Sequence, residues 1–452
     1  MSEGSLEAPQ RHPIPWQGAE FYDEKNLDDE LRRQFDICHG CRRCHNLCDS
    51  FPRLFDLIDA AESMELDTVD SADFKYVVDA CTLCDMCFLT KCPYVPPHEF
   101  NLDLPHLMLR YKAVEHKKRQ TGFVTRQIAK TDRNGKLAGA VAPLSNWASK
   151  NSNGLTRSAM QSVAGIDKNA TLPNFHGKTL TARAKAGAPQ RDLGAPAADR
   201  KVVIYATCFV NYNDPSIGED ALEILARNGV KCEVFHPMCC GMPKLEHGDI
   251  EGVAKAARKV AKAFKPWIEK GYDVLALTPS CSLMLKFEWP LILPDDEDVR
   301  LLSEVTWDIS EYVVDIAKNE GMADGMSALE GSVTVHLACH SRAQNMGQKA
   351  AELLRLIPDT HVEVIERCSG HGGSWGMMRN NFETGVKVGR PAARKALETA
   401  TKYVVSECPL AGMHILQGME RVAEKENSSP KIPDHAQHPV QLLAKSYRAE
   451  YE

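Results

Sequence analysis

The stretch Cys38-His39-Gly40-Cys41-Arg42-Arg43-Cys44-His45-Asn46-Leu47-Cys48 is followed, after 32 intervening residues, by Cys81-Thr82-Leu83-Cys84-Asp85-Met86-Cys87-Phe88-Leu89-Thr90-Lys91-Cys92-Pro93. Each run is C-x2-C-x2-C with a fourth cysteine behind it. Three thiolates at three-residue spacing can wrap three irons of a [4Fe–4S] cube from one turn. Where two such runs share a fold, the fourth cysteine of each serves the other cube. The expected ligand sets are therefore Cys38, Cys41, Cys44 and Cys92 for one cube, and Cys81, Cys84, Cys87 and Cys48 for the other. The competing chemistry is a pair of zinc sites, which would need four ligands each, usually as two separated pairs. Triplets at this spacing suit a cube better. Two spacings are unusual: Cys48 is followed by Asp49-Ser50-Phe51-Pro52 rather than directly by proline, and Cys92 comes one residue late.

A chain of 452 residues suggests two or three domains. With 43% hydrophobic and 25% charged residues and a mean hydropathy of −0.33, its composition is that of a soluble globular protein. No apolar run reaches the roughly 18 residues of a membrane span. Met1 to Gly18 is polar and proline-punctuated, unlike a signal peptide. A net charge of −7 and a pI near 6.2 give no general attraction to nucleic acid. Sixteen cysteines with triplet spacing and no export signal point to reduced thiolates holding iron in the cytoplasm.

Residues 19–37 read as a charged helix leading into the first cysteine. Phe51, Leu54, Phe55, Leu57 and Ile58 recur at helical spacing, so helix joins the two runs. From Asp103 to about Ala164 the chain is mixed helical and polar. Its basic cluster at Glu115–Arg119 reads as a solvated helix face, with docking to an acidic partner as the alternative. Residues 183–200 have the composition of a linker. Beyond it strands and helices alternate: Val202–Tyr205 ends at Cys208, a helix passes through Leu222 and Leu225, and Cys232–Phe235 leads to Cys239-Cys240-Gly241. A helix through Ile250–Ile268 then precedes Val274–Leu277 and Cys281. The same order repeats: Val333–Val335 to Cys339, helix 348–356, Val362–Ile365 to Cys368-Ser369-Gly370, helix 391–401, Tyr403–Val405 to Cys408. The spacing agrees, 31 and 42 positions in the first copy against 29 and 40 in the second. Alternating order predicts parallel sheets with cysteines at strand C-terminal ends, where open α/β sheets place ligands. Cys232, mid-strand, reads as a plain core cysteine. No G-x-G-x-x-G lies between a strand and a helix, so no bound flavin or nicotinamide is expected and electrons must come from a partner.

Ferredoxin-type runs separated by helices resemble the α-helical ferredoxin domain of the succinate dehydrogenase and heterodisulfide reductase families. The two repeats resemble the cysteine-rich CCG domains of the heterodisulfide reductase family. That group includes the iron–sulfur subunits of anaerobic glycerol-3-phosphate dehydrogenases and of glycolate oxidases. The resemblance rests on Cys208-Phe209-Val210-Asn211-Tyr212-Asn213, Cys239-Cys240-Gly241-Met242-Pro243, Thr171-Leu172-Pro173 and His438-Pro439-Val440-Gln441-Leu442-Leu443. It implies an α+β and α/β chain in four parts. These are an α-helical two-cluster ferredoxin domain (19–110), a helical connector and linker (111–200), a first CCG module (201–328) and a second, degenerate one (329–445). It also implies two [4Fe–4S] clusters, and a further iron–sulfur cluster in the first module on Cys208, Cys239, Cys240 and Cys281, although Ser282-Leu283-Met284 supplies no second cysteine of a C-x2-C.

The second module keeps only Cys339, Cys368 and Cys408, with His340 and His371 beside two of them. Imidazole can replace thiolate on iron, so a three-cysteine-plus-histidine site competes with a decayed scaffold or docking surface. The glycines of His371-Gly372-Gly373-Ser374-Trp375-Gly376 suit a tight turn. The implied function is an electron-transfer subunit between a separate redox partner, a flavoprotein dehydrogenase, and a quinone or protein acceptor. A reductase acting on a disulfide at a CCG-site cluster and a non-redox metal scaffold are the alternatives. The expected location is the cytoplasm, with the inner face of the membrane reached through a partner.

Overall fold

Apolar residues on both faces make β1 (Lys201–Tyr205) a central parallel strand: every residue after Lys201 is buried. It pairs with β2 (Lys231–Phe235) and β3 (Asp273–Ala276), and β3 pairs with β4 (Thr306–Asp308), giving the order β2-β1-β3-β4. The second sheet is β6-β5-β7, from β5 (Val333–His336), β6 (Val362–Ile365) and β7 (Tyr403–Ser406), again parallel. The computed structural model describes residues 4–5 and 7–448. Val202 faces Cys232 and Asp273 across the first sheet, and Val333 faces Val362 and Tyr403 across the second. This common register makes the repeats structural equivalents. Each cysteine at a strand end lies within five residues of its strand.

The chain is thus mixed α/β with two parallel-sheet repeats behind a helical N-terminal part. Helices Glu24–Cys41, Ser50–Asp59, Phe74–Val78 and Leu104–Lys117 bury Leu31, Phe35, Leu54, Phe74 and Met108 in a core continuous with Val253, Phe264 and Trp289 of the first module. A second core joins the modules, Ile204 and Leu225 on one side with Val335, Leu353 and Leu443 on the other. The C-terminal helix Pro439–Arg448 lies across the first module's helix Pro215–Arg227, its Arg448 Nε donating to Glu223 at 2.9 Å.

Several expectations change. The charged helix expected over 19–37 becomes a short 3₁₀ turn and then a helix that runs on through Cys38 to Cys41, capped by the Asp23 carboxylate on the Asn26 amide. Helix Leu104–Lys117 passes through the expected boundary at 110. The supposed linker 183–200 starts inside a helix, Leu180–Ala186, and then straps the first module. There Arg191 Nε donates to the Gly229 carbonyl at 2.5 Å, the Ala197 amide donates to Asn228 at 3.0 Å, and Ala197 is buried. Main-chain hydrogen bonds outweigh its flexible composition. The helix expected at 391–401 is Phe382–Thr399, continuing through Pro391. Its small residues Gly385, Gly389, Ala392 and Ala396 are buried, and Gly389 approaches Ser369 so closely that a Cβ would fall 2.2 Å from its carbonyl oxygen. β4, only three residues long, carries no periodic signal.

One buried ionic knot ties the N-terminal segment to both flanking parts. Arg11 donates to Asp85 at 2.7 Å, Asp103 at 2.8 Å and Glu288 at 3.2 Å, and lies 4.5 Å from the centre of the Phe88 ring. His106 reaches Asp103 and Glu288 at 3.2 and 3.4 Å. Burial pushes the Glu288 carboxyl up, but the His106 hydrogen bond and the charges of His106 and Arg11 outweigh it and hold the group down at about 2. Asp103 is lowered for the same balance of reasons. Replacing Arg11 by Met leaves Asp85 without its cation and Asp103 and Glu288 with His106 alone, so a loss of about 3–5 kcal/mol is expected in urea unfolding at pH 7. Carboxyls depressed in the folded state stabilise it above their unfolded values near about 4, and that stability is lost as pH falls through the folded values. The gap between wild type and Arg11→Met should therefore shrink from about pH 4 downward.

Candidate metal centres

The N-terminal thiols fall into two neighbourhoods. Cys38, whose thiol burial pushes well up, also feels Cys92, Cys44 and Cys41. Cys48, equally raised by burial, feels Cys84 and Cys81, and Cys87 feels Cys84, Cys81, Cys48 and Cys44. The fourth cysteine of each run thus lies beside the triplet of the other. Backbone amides are aimed at several of these sulfurs: Ser50 and Phe51 at Cys48, Tyr94 and Val95 at Cys92, Leu83 at Cys81, Met86 at Cys84. Positive φ at Arg42, Leu83 and Asp85 turns the chain tightly enough to present them. Burial pushes Cys84 up to about 12, and its largest thiol neighbour is Cys368 of the second module.

In the first module, Cys208, Cys239, Cys240 and Cys281 converge from three strand ends. Cys240 and Cys281 sulfurs are 3.3 Å apart, and the Gly241 amide donates to Cys239 at 3.5 Å. Cys208 and Cys240 hydrogen-bond to Cys239, which places the Cys239 thiol well below its ordinary range while theirs are pushed up. Gly241 has φ +90°, the left-handed conformation that lets its amide face the sulfur. Cys232 stands apart on β2, raised by burial, against the core shared by the modules.

In the second module, Cys339 feels Cys84, Cys368 and Cys408, and Cys408, pushed up to about 11 by burial, feels Cys281. The Gly370 amide donates to Cys368 at 3.3 Å. Gly370, Gly372 and Gly373 all have positive φ, and a Cβ on Gly370 would fall 1.9 Å from the Gly385 oxygen, so the expected tight turn is present. That turn docks on the second cysteine run, Trp375 Nε1 donating to Asp79 at 2.8 Å. His340 approaches the Leu83 carbonyl at 3.4 Å. His371 keeps a buried, unpartnered Nε2, and burial lowers it to about 3.

Both modules and the second N-terminal run line one cavity of about 2000 Å3, walled on the far side by Ile128, Ala148, Met160 and Ile166 of the connector. Among the described residues no group of three or more His, Cys, Asp or Glu side chains is arranged to hold a single metal ion.

Three residues escaped the sequence reading. Asp132 accepts from the Cys239 amide at 2.6 Å and faces His236 Nε2 at 2.7 Å, so the connector helix Thr131–Ala140 begins inside the first module's thiol site. The neighbouring Thr131 hydroxyl is buried beside Cys208 and Cys239 and favours their charged forms. His414, whose Nδ1 meets the Ser369 carbonyl at 2.7 Å, stands 6.1 Å from His371 between ring centres and also keeps an unpartnered Nε2. One signal was available: Asp132 is the only acidic residue between Glu115 and Asp167.

Two parallel-sheet repeats with cysteines gathered at strand ends define a tandem cysteine-rich architecture. The CCG cysteine-rich domain model matches residues 202–286 and 333–415, and the chain belongs to this family. It is 26% identical over 327 residues to a subunit of the anaerobic glycerol-3-phosphate dehydrogenase of Escherichia coli K12, covering 71% of this chain and 76% of the relative. It is 30% identical over 184 residues to lactate utilization protein A of Bacillus pumilus, covering 39% of this chain and 74% of the relative. The corresponding protein of Oceanobacillus iheyensis is 29% identical over 216 residues, 45% and 84%. Among the described residues no helix is long and apolar enough to cross a membrane.

Removing the Asp132 carboxylate leaves the Cys239 amide and His236 without their acceptor. Because Asp132 is partly exposed, a loss of about 1–3 kcal/mol is expected for Asp132→Ala. Urea unfolding of the metal-free chain measures it, and an unchanged midpoint would remove Asp132 from the site.

Proposed function

We propose that this chain is an iron–sulfur subunit that relays electrons between a separate flavoprotein dehydrogenase and a quinone or protein acceptor, at the inner face of the membrane through its partner. In this reading residues 19–110 form a two-cluster ferredoxin domain. Cys38, Cys41, Cys44 and Cys92 hold one [4Fe–4S] cluster, Cys81, Cys84, Cys87 and Cys48 the other, and Cys208, Cys239, Cys240 and Cys281 a third iron–sulfur centre. Clusters bound there would supply one-electron redox chemistry.

The observation that carries the reading is the thiol environment. A group of buried thiols that raise one another's pKa stays protonated unless a cation compensates, and amides aimed at sulfur stabilise the ligated thiolate. The donor set therefore fits iron. Cys84, Cys368 and Cys339 form a continuous thiol neighbourhood from the second N-terminal run into the second module. The relatives' names fit this reading, one being a dehydrogenase subunit and the other a lactate utilization protein.

A second reading, catalysis at the modules, is favoured by the shared cavity, which could admit an organic disulfide next to Cys239 and Cys240. Oxidation of the reduced protein by a disulfide without any partner would select it over the relay.

Iron analysis with low-temperature EPR on anaerobically purified protein tests the assignment. Wild type should carry more than about eight irons, the content of two cubes. Cys240→Ala should lose only the excess, Cys48→Ser should damage the cluster of Cys81, Cys84 and Cys87, and Cys368→Ala should leave total iron nearly unchanged. Loss of a centre in Cys368→Ala but not in Cys240→Ala would reverse the roles of the modules.

A further inference from the structure

Between residues 116 and 166 the chain carries nine Lys or Arg and one acidic residue, Asp132, in a protein whose formal charge is −7. That single carboxylate is turned inward onto Cys239 and His236. The charged side chains on the outer surface of this segment are therefore all cationic: Lys117, Arg126, Lys130, Arg133, Lys136 and Lys150 are exposed. Among the described residues no salt bridge engages Arg126, Lys130, Arg133, Lys136 or Lys150, the segment's one carboxylate being turned inward.

The same segment gathers exposed apolar side chains. Of eleven large hydrophobic residues exposed among the described ones, seven lie between Phe123 and Val163. Leu137, Trp147, Leu155 and Val163 sit on the outer faces of three consecutive helices, whereas Val141 and Leu144 line the cavity and Phe123 opens the preceding helix. In Thr131–Ala140, Gly135 and Gly139 face inward while Arg133, Lys136, Leu137 and Ala140 face out at helical spacing. Helix Ala142–Ser149 exposes Trp147 on its outer side, while Leu144 lines the cavity. Helix Gly154–Ala164 exposes Leu155, Ser158, Ala159, Ser162 and Val163, a stripe without charge, with Leu155 at 87% and Val163 at 80%. Side chains exposed to that degree project singly and do not frame a pocket for a partner's side chain. They suit insertion into a fluid apolar phase, where no complementary shape is needed.

We infer that the connector helices between Phe123 and Val163 dock this chain directly onto an anionic lipid surface. Leu137, Trp147, Leu155 and Val163 enter the headgroup boundary, and the unpaired Lys and Arg residues meet lipid phosphates. No helix needs to span the bilayer: an interfacial amphipathic surface combines apolar insertion with electrostatic attraction, each cation adding about fivefold to the binding. The inference concerns the chain itself rather than a partner that carries it to the membrane. It also does not depend on the metal reading, because the inner faces of these helices wall the cavity while the outer faces stay free.

Flotation of the full chain, anaerobically purified with its metal content intact, with phosphatidylglycerol/phosphatidylcholine vesicles tests it. Wild type should float with anionic vesicles, bind neutral phosphatidylcholine at least tenfold more weakly, and be released by about 0.5 M NaCl as charges are screened. K136E/K150E and, separately, W147E/L155E should each lower partition onto anionic vesicles at least tenfold with unchanged iron content and far-UV circular dichroism. Wild-type binding that is absent, equal on neutral vesicles, or unaltered in both variants overturns the inference. Failure of the isolated chain to float when a complex with its redox partner does float would overturn it too, while leaving the relay reading intact. Salt-sensitive binding to an acidic protein in place of vesicles would likewise assign the surface to a protein and overturn the lipid reading.

Discussion

Burying sulfur without burying a counter-charge is the constraint under which this fold is built. Most thiols of the N-terminal runs and the modules are raised by burial, and most are raised further by one another. An ionised cluster of that kind is unstable in a low-dielectric interior unless cations or hydrogen-bond donors reach it. Few side-chain cations do. Lys112, itself lowered by burial, spends its ammonium on the Cys81 carbonyl at 2.5 Å. The donors are instead backbone amides, which require tight turns. The strained positive φ values at Leu83 and Asp85, and the left-handed conformations that Gly241 and Gly370 adopt freely, therefore fall beside cysteines.

The same constraint explains why the two modules differ. The first gathers four thiols, and the Cys208 and Cys240 thiols concentrate negative charge on Cys239, which also feels Thr131 and the Gly241 amide. The second has Ser369 where the first has Cys240, and a buried histidine pair, His371 and His414, whose free nitrogens face no protein partner. Both imidazoles are held neutral by burial. A neutral imidazole nitrogen is a competent ligand or acceptor, so the second module trades one anionic group for uncharged ones, and the total charge at the cavity is lower.

Much of this was legible in the residues because it depends on period and spacing. Strands buried on both faces, such as β1, appear as apolar runs. Strand ends are marked by cysteine, and a duplicated interval of 29–31 positions exposes the repeat without any contact information. What was not legible depends on meetings between distant segments. Arg11, with nothing in its neighbourhood to mark it, closes on Asp85, Asp103 and Glu288, up to 277 positions away. Composition misled at 183–200, because alanine, proline and glycine describe a flexible strand of chain equally well when it is laid down by main-chain hydrogen bonds to Ala226 and Asn228 and by the Arg191 side chain on Gly229.

The connector unites these points. Its inner surface is fixed by Asp132 at the first module, by Arg157, buried and donating to the Asp167 carbonyl at 2.7 Å, and by the bridge between Ile166 and Met378 of the second module. A segment anchored at both modules cannot move freely, so its outer face is held in a fixed relation to the thiol cavity it encloses. Exposed apolar side chains on the outside of such a rigid wall, Leu137, Trp147, Leu155 and Val163 among them, cost the protein solubility. That cost is offset only if something apolar covers them. An acid-free surface facing outward, in an otherwise acidic protein, limits that cover to an anionic partner.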